Sequence, residues 1–171
     1  MRIRQILGLA VLIALIGGAG PAVADEDAPS ADEAKARLKE AYELGADDAI
    51  VEAIEYGRGL NDPDVVALIA DGMRVKNAAV VEASLKALGR SPHPDALAAL
   101  HKVYKRVRKK RIDGYEHLFP VLLKSIGRHG DPSSVEILSD AIWFHPSFEA
   151  FLARIMGLGN IRTPEAVEAL V

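Results

Sequence analysis

The fold is decided by the stretch Leu88-Gly89-Arg90-Ser91-Pro92-His93-Pro94-Asp95-Ala96-Leu97. An apolar helical pattern ends at Gly89, a short polar turn follows, and Pro94 opens a second apolar pattern. Glycine tolerates the left-handed backbone conformation that closes a helix, and proline suits the first turn of a helix because its missing N–H costs nothing there. The stretch therefore predicts two helices joined by a tight turn.

The same arrangement recurs twice further along the chain. Gly127 leads to Pro132, and Gly159 leads to Pro164. With Pro63 included, successive turn prolines are separated by 31, 38 and 32 residues. Helix pairs that repeat at intervals in the thirties are typical of an α-solenoid, and the sequence predicts about four such antiparallel pairs.

The composition favours an all-α fold. Hydrophobic residues make up 50% of the 171 residues but aromatics only 5%, so the core must consist of Ala, Leu, Val and Ile, which suits close-packed helices. The sequence contains no cysteine. Disulfides, thiolate zinc sites, cysteine nucleophiles and a lipid-modified cysteine anchor are therefore excluded.

The chain begins with the features of an export signal. Arg2 and Arg4 precede an apolar run of about eleven residues, which is shorter than the roughly 20 that span a bilayer. Ala22-Val23-Ala24 supplies the small residues that a signal peptidase reads. Residues 1–24 are therefore predicted to be a cleaved signal peptide, followed by a disordered leader over residues 25–29. The alternative is a retained N-terminal membrane anchor.

Export would place the protein in the bacterial periplasm or outside the cell. Removal of the two signal arginines leaves 19 basic residues against 24 acidic ones, a net charge of −5. The exported protein is thus expected to be mildly acidic, and nucleic acid is an unlikely partner in that compartment.

The repeat domain is expected to span residues 30–171. Ser30 stands three residues before Glu33, a capping-box spacing that predicts a helix running to Gly45. In the last unit, four apolar residues at helical spacing are expected to face the core. These are Phe148, Leu152, Ile155 and Met156.

The C-terminal unit is short. Only about two helical turns follow Pro164, and the closing residues Ala166 to Val171 are largely apolar, whereas a terminal repeat needs a polar outer face. The domain is therefore expected to end inside a repeat. Either the chain is part of a longer array, or its C-terminal edge is covered by a partner or by self-association with a second copy.

Two of the repeat units carry a family resemblance. The segments Ala87-Leu88-Gly89 with Pro94-Asp95-Ala96-Leu97-Ala98-Ala99-Leu100, and Gly159 with Pro164-Glu165-Ala166-Val167-Glu168-Ala169-Leu170, resemble the HEAT-like repeat family in its short-repeat, phycobilisome-lyase-like form. The resemblance covers over half the chain. It implies a right-handed superhelix whose curved surface binds other macromolecules, and it carries no catalytic site onto residues of this chain.

One interval between turn prolines is stretched to 38 residues by a basic segment. Seven of the ten residues from 102 to 111 are basic, in a chain that is acidic overall. One interpretation is a solvated helical extension that leaves the stack; the other is a docking patch for anionic groups such as lipid headgroups, acidic glycans or an acidic protein face. The candidate binding residues of this segment are Lys102, Lys105, Arg106, Arg108, Lys109, Lys110 and Arg111.

A second candidate surface is aromatic. Trp143 and Phe144 lie in a cluster with Phe148 and Phe151 between two units, where they either pack in the core or anchor an interface. No catalytic, metal or cofactor-binding residue is predicted. The five histidines show no ligand spacing, and the serines have no His and acid paired with them in the sequence.

These observations favour one function and leave a second open. The favoured hypothesis is an exported, non-catalytic scaffold without a cofactor, which binds a protein or an anionic envelope component through its curved surface and the basic extension. The alternative is a lyase-like HEAT-repeat enzyme or a chromophore-handling protein.

Overall fold

The described part of the protein consists of helices and the turns that connect them. The computed structural model describes residues 29–109, 116–140 and 147–171, and within these ranges there is no β-strand, which confirms the all-α fold class. None of the helices in these ranges is long and apolar enough to cross a bilayer. The helices are α1 (Ala31–Leu44), α2 (Asp47–Gly57), α3 (Pro63–Asp71), α4 (Ala78–Leu88), α5 (Pro94–Lys109), α6 (Phe119–Arg128), α7 (Val135–Ser139), α8 (Phe148–Ile161) and α9 (Pro164–Glu168).

The predicted helix starts are confirmed. Ser30 caps α1 by accepting the backbone N–H of Glu33 at 3.2 Å, and α1 closes at Gly45 in the left-handed conformation, with φ 65°. Pro63 and Pro164 occupy the first turns of α3 and α9. Pro94 and Pro132 likewise open α5 and the 3₁₀ turn that precedes α7. The predicted signal peptide lies outside the described residues.

The three glycines of the repeated motif do not play the predicted role. Gly89, Gly127 and Gly159 all have negative φ, so the expectation that they close helices in the left-handed conformation is wrong. The first two are needed for close helix contact instead. A Cβ atom on Gly127 would lie 2.5 Å from Cα of Gly157, and one on Gly89 would lie 2.6 Å from Cβ of Ser125.

Most helices two apart in the sequence pack side by side. α2 contacts α4, α4 contacts α6 and α6 contacts α8; in the same way α1 contacts α3, α3 contacts α5 and α7 contacts α9. The residues between these two rows form one continuous apolar core. Its largest fully buried side chains include Leu38, Ile54, Leu88, Leu100, Leu122, Leu123, Ile126, Leu138 and Leu158.

The buried face of α8 differs from the prediction. Phe148, Leu152 and Met156 were expected to face the core, but they are 73%, 40% and 61% exposed. Three of the six buried residues of α8 are alanine or glycine, and at Gly157 the helix approaches α6 at backbone contact distance. That side carries Ala150, Ala153, Arg154, Gly157, Leu158 and Ile161.

Candidate functional site

α5 presents three cations of the basic segment to solvent. Lys102, Lys105 and Arg106 are exposed and lie at positions i, i+3 and i+4, which share one face of a helix. These three residues are called the cation row. Arg108 is also exposed, but its Nε lies 3.0 Å from Oδ2 of Asp140.

Of the remaining predicted binding residues, one lies within the described residues. Lys109 is the last residue of α5. The others lie outside the described residues: Lys110, Arg111, Trp143 and Phe144.

The cation row forms no ion pair within the described part of the chain. None of its three members lies within 4.0 Å of a carboxylate there, whereas six other described lysines and arginines form surface ion pairs. Together with burial, the charge of Lys105 lowers the pKa of His101. The six paired cations are Lys35, Arg37, Arg58, Arg74, Lys86 and Arg108.

Tyr104 fixes the cation row to the rest of the molecule. Its side chain is only 3% exposed, and its ring stacks on Phe119 with centroids 6.0 Å apart. Its hydroxyl donates to Oδ2 of Asp140 at 2.7 Å, the same oxygen that Arg108 approaches. Burial raises the pKa of Tyr104, so the hydroxyl keeps its proton. The basic segment is therefore packed against its neighbours as far as Arg108.

A buried arginine on α8 supports the same region. Arg154 is 2% exposed; its Nη1 donates to the carbonyls of Ile137 and Leu138 at 2.6 and 3.1 Å, and its Nη2 to the Tyr104 hydroxyl at 3.5 Å. Those carbonyls belong to the last turn of α7, where backbone acceptors lack helical partners and a cation is favoured. Within the described residues, the buried Nε of Arg154 has no hydrogen-bond partner.

A pocket of about 430 Å³ lies beside the first turn of α5. It is lined by His93, His101, His129 and Asp131, with Leu97 among its apolar residues. His93 and His129 lie in inter-helix turns, and both turns border this pocket. Among the described residues, no group of three or more His, Asp or Glu side chains could hold a metal ion.

Two of these imidazoles are held neutral. His129 Nε2 lies 3.1 Å from the Leu88 carbonyl, which can only accept, so Nε2 carries the proton. Burial lowers the pKa of His129 and, with a smaller contribution from Lys105, the pKa of His101. His101 and His129 therefore line the pocket as uncharged rings at neutral pH.

One Ser–His pair is formed that residue spacing did not indicate. His101 Nε2 lies 2.9 Å from Oγ of Ser134, across 33 residues of sequence. The Ser134 side chain is fully buried, so its oxygen cannot reach a substrate as a nucleophile must. The bond instead joins α5 to the turn before α7.

The signals for the missed residues were present in the sequence. Arg154 is the one charged residue between Phe151 and Ile161, inside an apolar helix, and a charge in such a setting indicates a buried polar contact. Tyr104 follows Val103 directly in the sequence and lies on the inward face of α5. The spacing of residues could not identify Asp140 as the hydrogen-bond partner of Tyr104, because the two residues are 36 positions apart in the sequence.

No protein-family model matches the chain, and no curated protein or solved structure is significantly similar to it. The resemblance to HEAT-like repeats therefore continues to rest on the spacing of glycines and prolines.

Proposed function

We propose that the protein is an exported, non-catalytic HEAT-like scaffold that binds an anionic component of the cell envelope through the cation row on α5. The solenoid part of this proposal is supported by the packing order, in which α2, α4, α6 and α8 form one row and the odd-numbered helices lie beside it. Such stacking is what a chain of helix-pair repeats is expected to produce.

The observation that carries the binding proposal is the clustering of three unpaired cations on one face of α5. Lys102, Lys105 and Arg106 are exposed on one face and have no carboxylate within 4.0 Å among the described residues. Tyr104 and Asp140 hold the helix beneath them in place. A fixed cluster of like charges favours a ligand that presents several anionic groups together.

The chemistry of the row favours anionic lipid headgroups as that ligand. No exposed large apolar side chain of the described residues lies on α5, so the row lacks the aromatic or aliphatic anchors that usually dominate protein interfaces. Basic residues near an anionic membrane contribute about 1 kcal/mol each, so three contribute about 3 kcal/mol, or roughly a hundredfold in partitioning.

Vesicle sedimentation tests the proposal. The full chain is mixed with vesicles of phosphatidylcholine alone or with phosphatidylglycerol added, and compared with the variant Lys102→Glu/Lys105→Glu/Arg106→Glu. The matched control is Lys39→Glu/Lys76→Glu/Lys124→Glu, which changes three exposed cations elsewhere by the same total charge. We expect the row variant to lose at least about a hundredfold of the preference for anionic vesicles.

The control variant should keep most of that preference. Equal losses in the two variants would contradict the proposal, because net charge rather than the row would then govern binding. If the wild-type chain shows no preference for anionic vesicles, the proposal is also contradicted, and an acidic protein becomes the better candidate ligand.

A chromophore-handling role is the second candidate, and the histidine-lined pocket is the observation that favours it. The volume of about 430 Å³ lies within the range of small-molecule sites. Absorbance titration with a linear tetrapyrrole tests this role. Saturable binding that His93→Ala and His129→Ala abolish would support it, and absence of saturable binding would contradict it.

A further inference from the structure

The pocket beside the first turn of α5 combines apolar and ionisable side chains. Its volume of about 430 Å³ lies in the range of small-molecule sites. Leu97 and Ala98 of α5 and two prolines give it an apolar lining, which suits the carbon body of a ligand. The ionisable side chains then decide which charged group the ligand carries.

Asp131 brings an unpaired negative charge to this pocket. Its Oδ1 accepts the backbone N–H of Ser133 at 2.8 Å, and hydrogen bonds from Ser133 lower the pKa of Asp131, so the carboxylate is ionised at neutral pH. Among the described residues, no lysine or arginine lines the pocket or lies within 4.0 Å of Asp131. The side chain is exposed, so a ligand can reach it. A carboxylate in this position favours a positively charged donor.

His129 offers a second acceptor near this carboxylate. Because its Nε2 donates to the Leu88 carbonyl, the neutral ring has an unprotonated Nδ1, which has no hydrogen-bond partner among the described residues. Burial lowers the pKa of His129, and the charge of Asp131 offsets this only in part. The charge of Lys105 acts on His101 and not on His129. An ammonium group, which donates three hydrogen bonds, therefore fits the end of the pocket formed by His129 and Asp131.

The start of α5 does not favour an anion in the same pocket. His93 caps the helix, because its Nδ1 accepts the backbone N–H of Asp95 at 3.2 Å and its carbonyl accepts that of Ala96 at 3.1 Å. Pro94 has no N–H to offer. The first backbone donors of α5, which could otherwise bind an anion, are therefore engaged within the chain. A carboxylate on a ligand would also meet the like charge of Asp131.

We propose that this pocket binds a small organic cation, whose ammonium group contacts Asp131 and Nδ1 of His129 while its carbon body lies against Leu97 and Ala98. The site is separate from the cation row, whose ligand is anionic, so either can fail without the other. A linear tetrapyrrole, which carries carboxylates, is the competing occupant of the pocket. The sign of the charge that the pocket prefers distinguishes the two.

NMR chemical-shift titration of the full chain with three ligands of similar shape tests the charge preference. Phenethylamine, 2-phenylethanol and phenylacetate share a phenyl ring and a two-carbon chain, and they carry a positive, a neutral and a negative group. We expect phenethylamine to bind with a dissociation constant of about 10 mM or lower, the affinity of so small a ligand. It should bind roughly two- to fivefold more tightly than the alcohol, and phenylacetate should bind most weakly. Equal affinities, tightest binding of phenylacetate, or no saturable binding of phenethylamine would overturn the proposal.

Three variants test the position of the ligand. Asp131→Asn removes the charge but keeps an oxygen that can accept the Ser133 N–H, and it should weaken phenethylamine binding roughly two- to fivefold while leaving the alcohol unaffected. The matched control is Asp62→Asn, because Asp62 also precedes a turn proline and caps the backbone but does not line the pocket. Ala98→Phe fills the pocket from an exposed position and should block all three ligands.

The control variant should bind phenethylamine as the wild type does. Equal losses in Asp131→Asn and Asp62→Asn would overturn the assignment, because the overall charge of the chain would then govern binding. Undiminished binding of phenethylamine to Asp131→Asn or to Ala98→Phe would likewise contradict it.

Discussion

Substitution of Gly127 by alanine should destabilise the protein, although alanine is the better helix former. The added Cβ atom would lie 2.5 Å from Cα of Gly157, whereas carbon atoms pack at about 3.5 to 4.0 Å. The obstructing atom belongs to the backbone, so no change of side-chain rotamer relieves the contact, and α6 and α8 must move apart by about 1 Å.

The magnitude follows from two opposing contributions. Overpacking of a close contact costs about 3 kcal/mol, at the upper end for such changes, and the gain in helix propensity returns up to about 1 kcal/mol. Gly127→Ala should therefore lower the free energy of unfolding by about 2 kcal/mol. Gly159→Ala, in the equivalent position but with open space around the new Cβ, should instead raise the free energy by up to about 1 kcal/mol.

Urea denaturation followed by circular dichroism measures both effects. Protein concentration is kept low enough for the monomer to dominate, so that contacts between copies do not contribute. With a slope of about 2 kcal/mol per molar urea, the midpoints of the two variants should differ by roughly 1.5 M. Equal midpoints, or a Gly127→Ala protein more stable than the wild type, would refute the close-contact explanation of the repeated glycines.

Three further predictions concern the residues around α5. Arg154→Leu should lower the free energy of unfolding by about 3 kcal/mol, because the α7 carbonyls lose a charged donor, and a loss under 1 kcal/mol in urea denaturation would contradict this role. Asp140→Asn should speed amide hydrogen exchange at residues 105–108, since the acceptor shared by Tyr104 and Arg108 loses its charge; unchanged exchange there would show that the contact does not hold the helix. Because burial lowers the pKa of His129 below its ordinary value of 6.5, the unfolded chain binds more protons and stability should fall as pH drops below about 6.5; His129→Gln should flatten that fall, and an unchanged thermal-melting profile would argue against it.

Local capping was predictable from the sequence, and helix contact distance was not. Ser30 and Gly45 bound α1 as predicted because a cap depends on neighbours within four residues. The sequence around Gly127 is compatible both with a glycine that ends a helix and with a glycine that allows close contact between two helices. Only the position of Gly157 across the interface decides between the two roles.

The same reasoning explains the error in α8. Phe148, Leu152 and Met156 have the spacing of a core-facing stripe. Apolar periodicity gives the same pattern for a buried helix face and for an exposed apolar face, so it cannot distinguish them. The helix turns its small residues inward because Gly157 must approach Gly127 closely. Apolar spacing therefore identified the helix but assigned the wrong face to the core.

The candidate site was predictable only in part. The row of Lys102, Lys105 and Arg106 follows from sequence spacing alone. The partners that fix it, Asp140 and Arg154, reach Tyr104 across 36 and 50 residues. Contacts at that separation depend on how the helices stack, which composition and periodicity do not determine.

Lysine acetylation of the wild-type protein on anionic vesicles tests the proposed binding surface most directly. Mass spectrometry compares the labelling of each exposed lysine with and without phosphatidylglycerol vesicles. We predict that Lys102 and Lys105 become protected, while Lys39, Lys76 and Lys124 are labelled as in buffer. Equal labelling of all five lysines in both conditions, or protection that spares Lys102 and Lys105, would contradict the account.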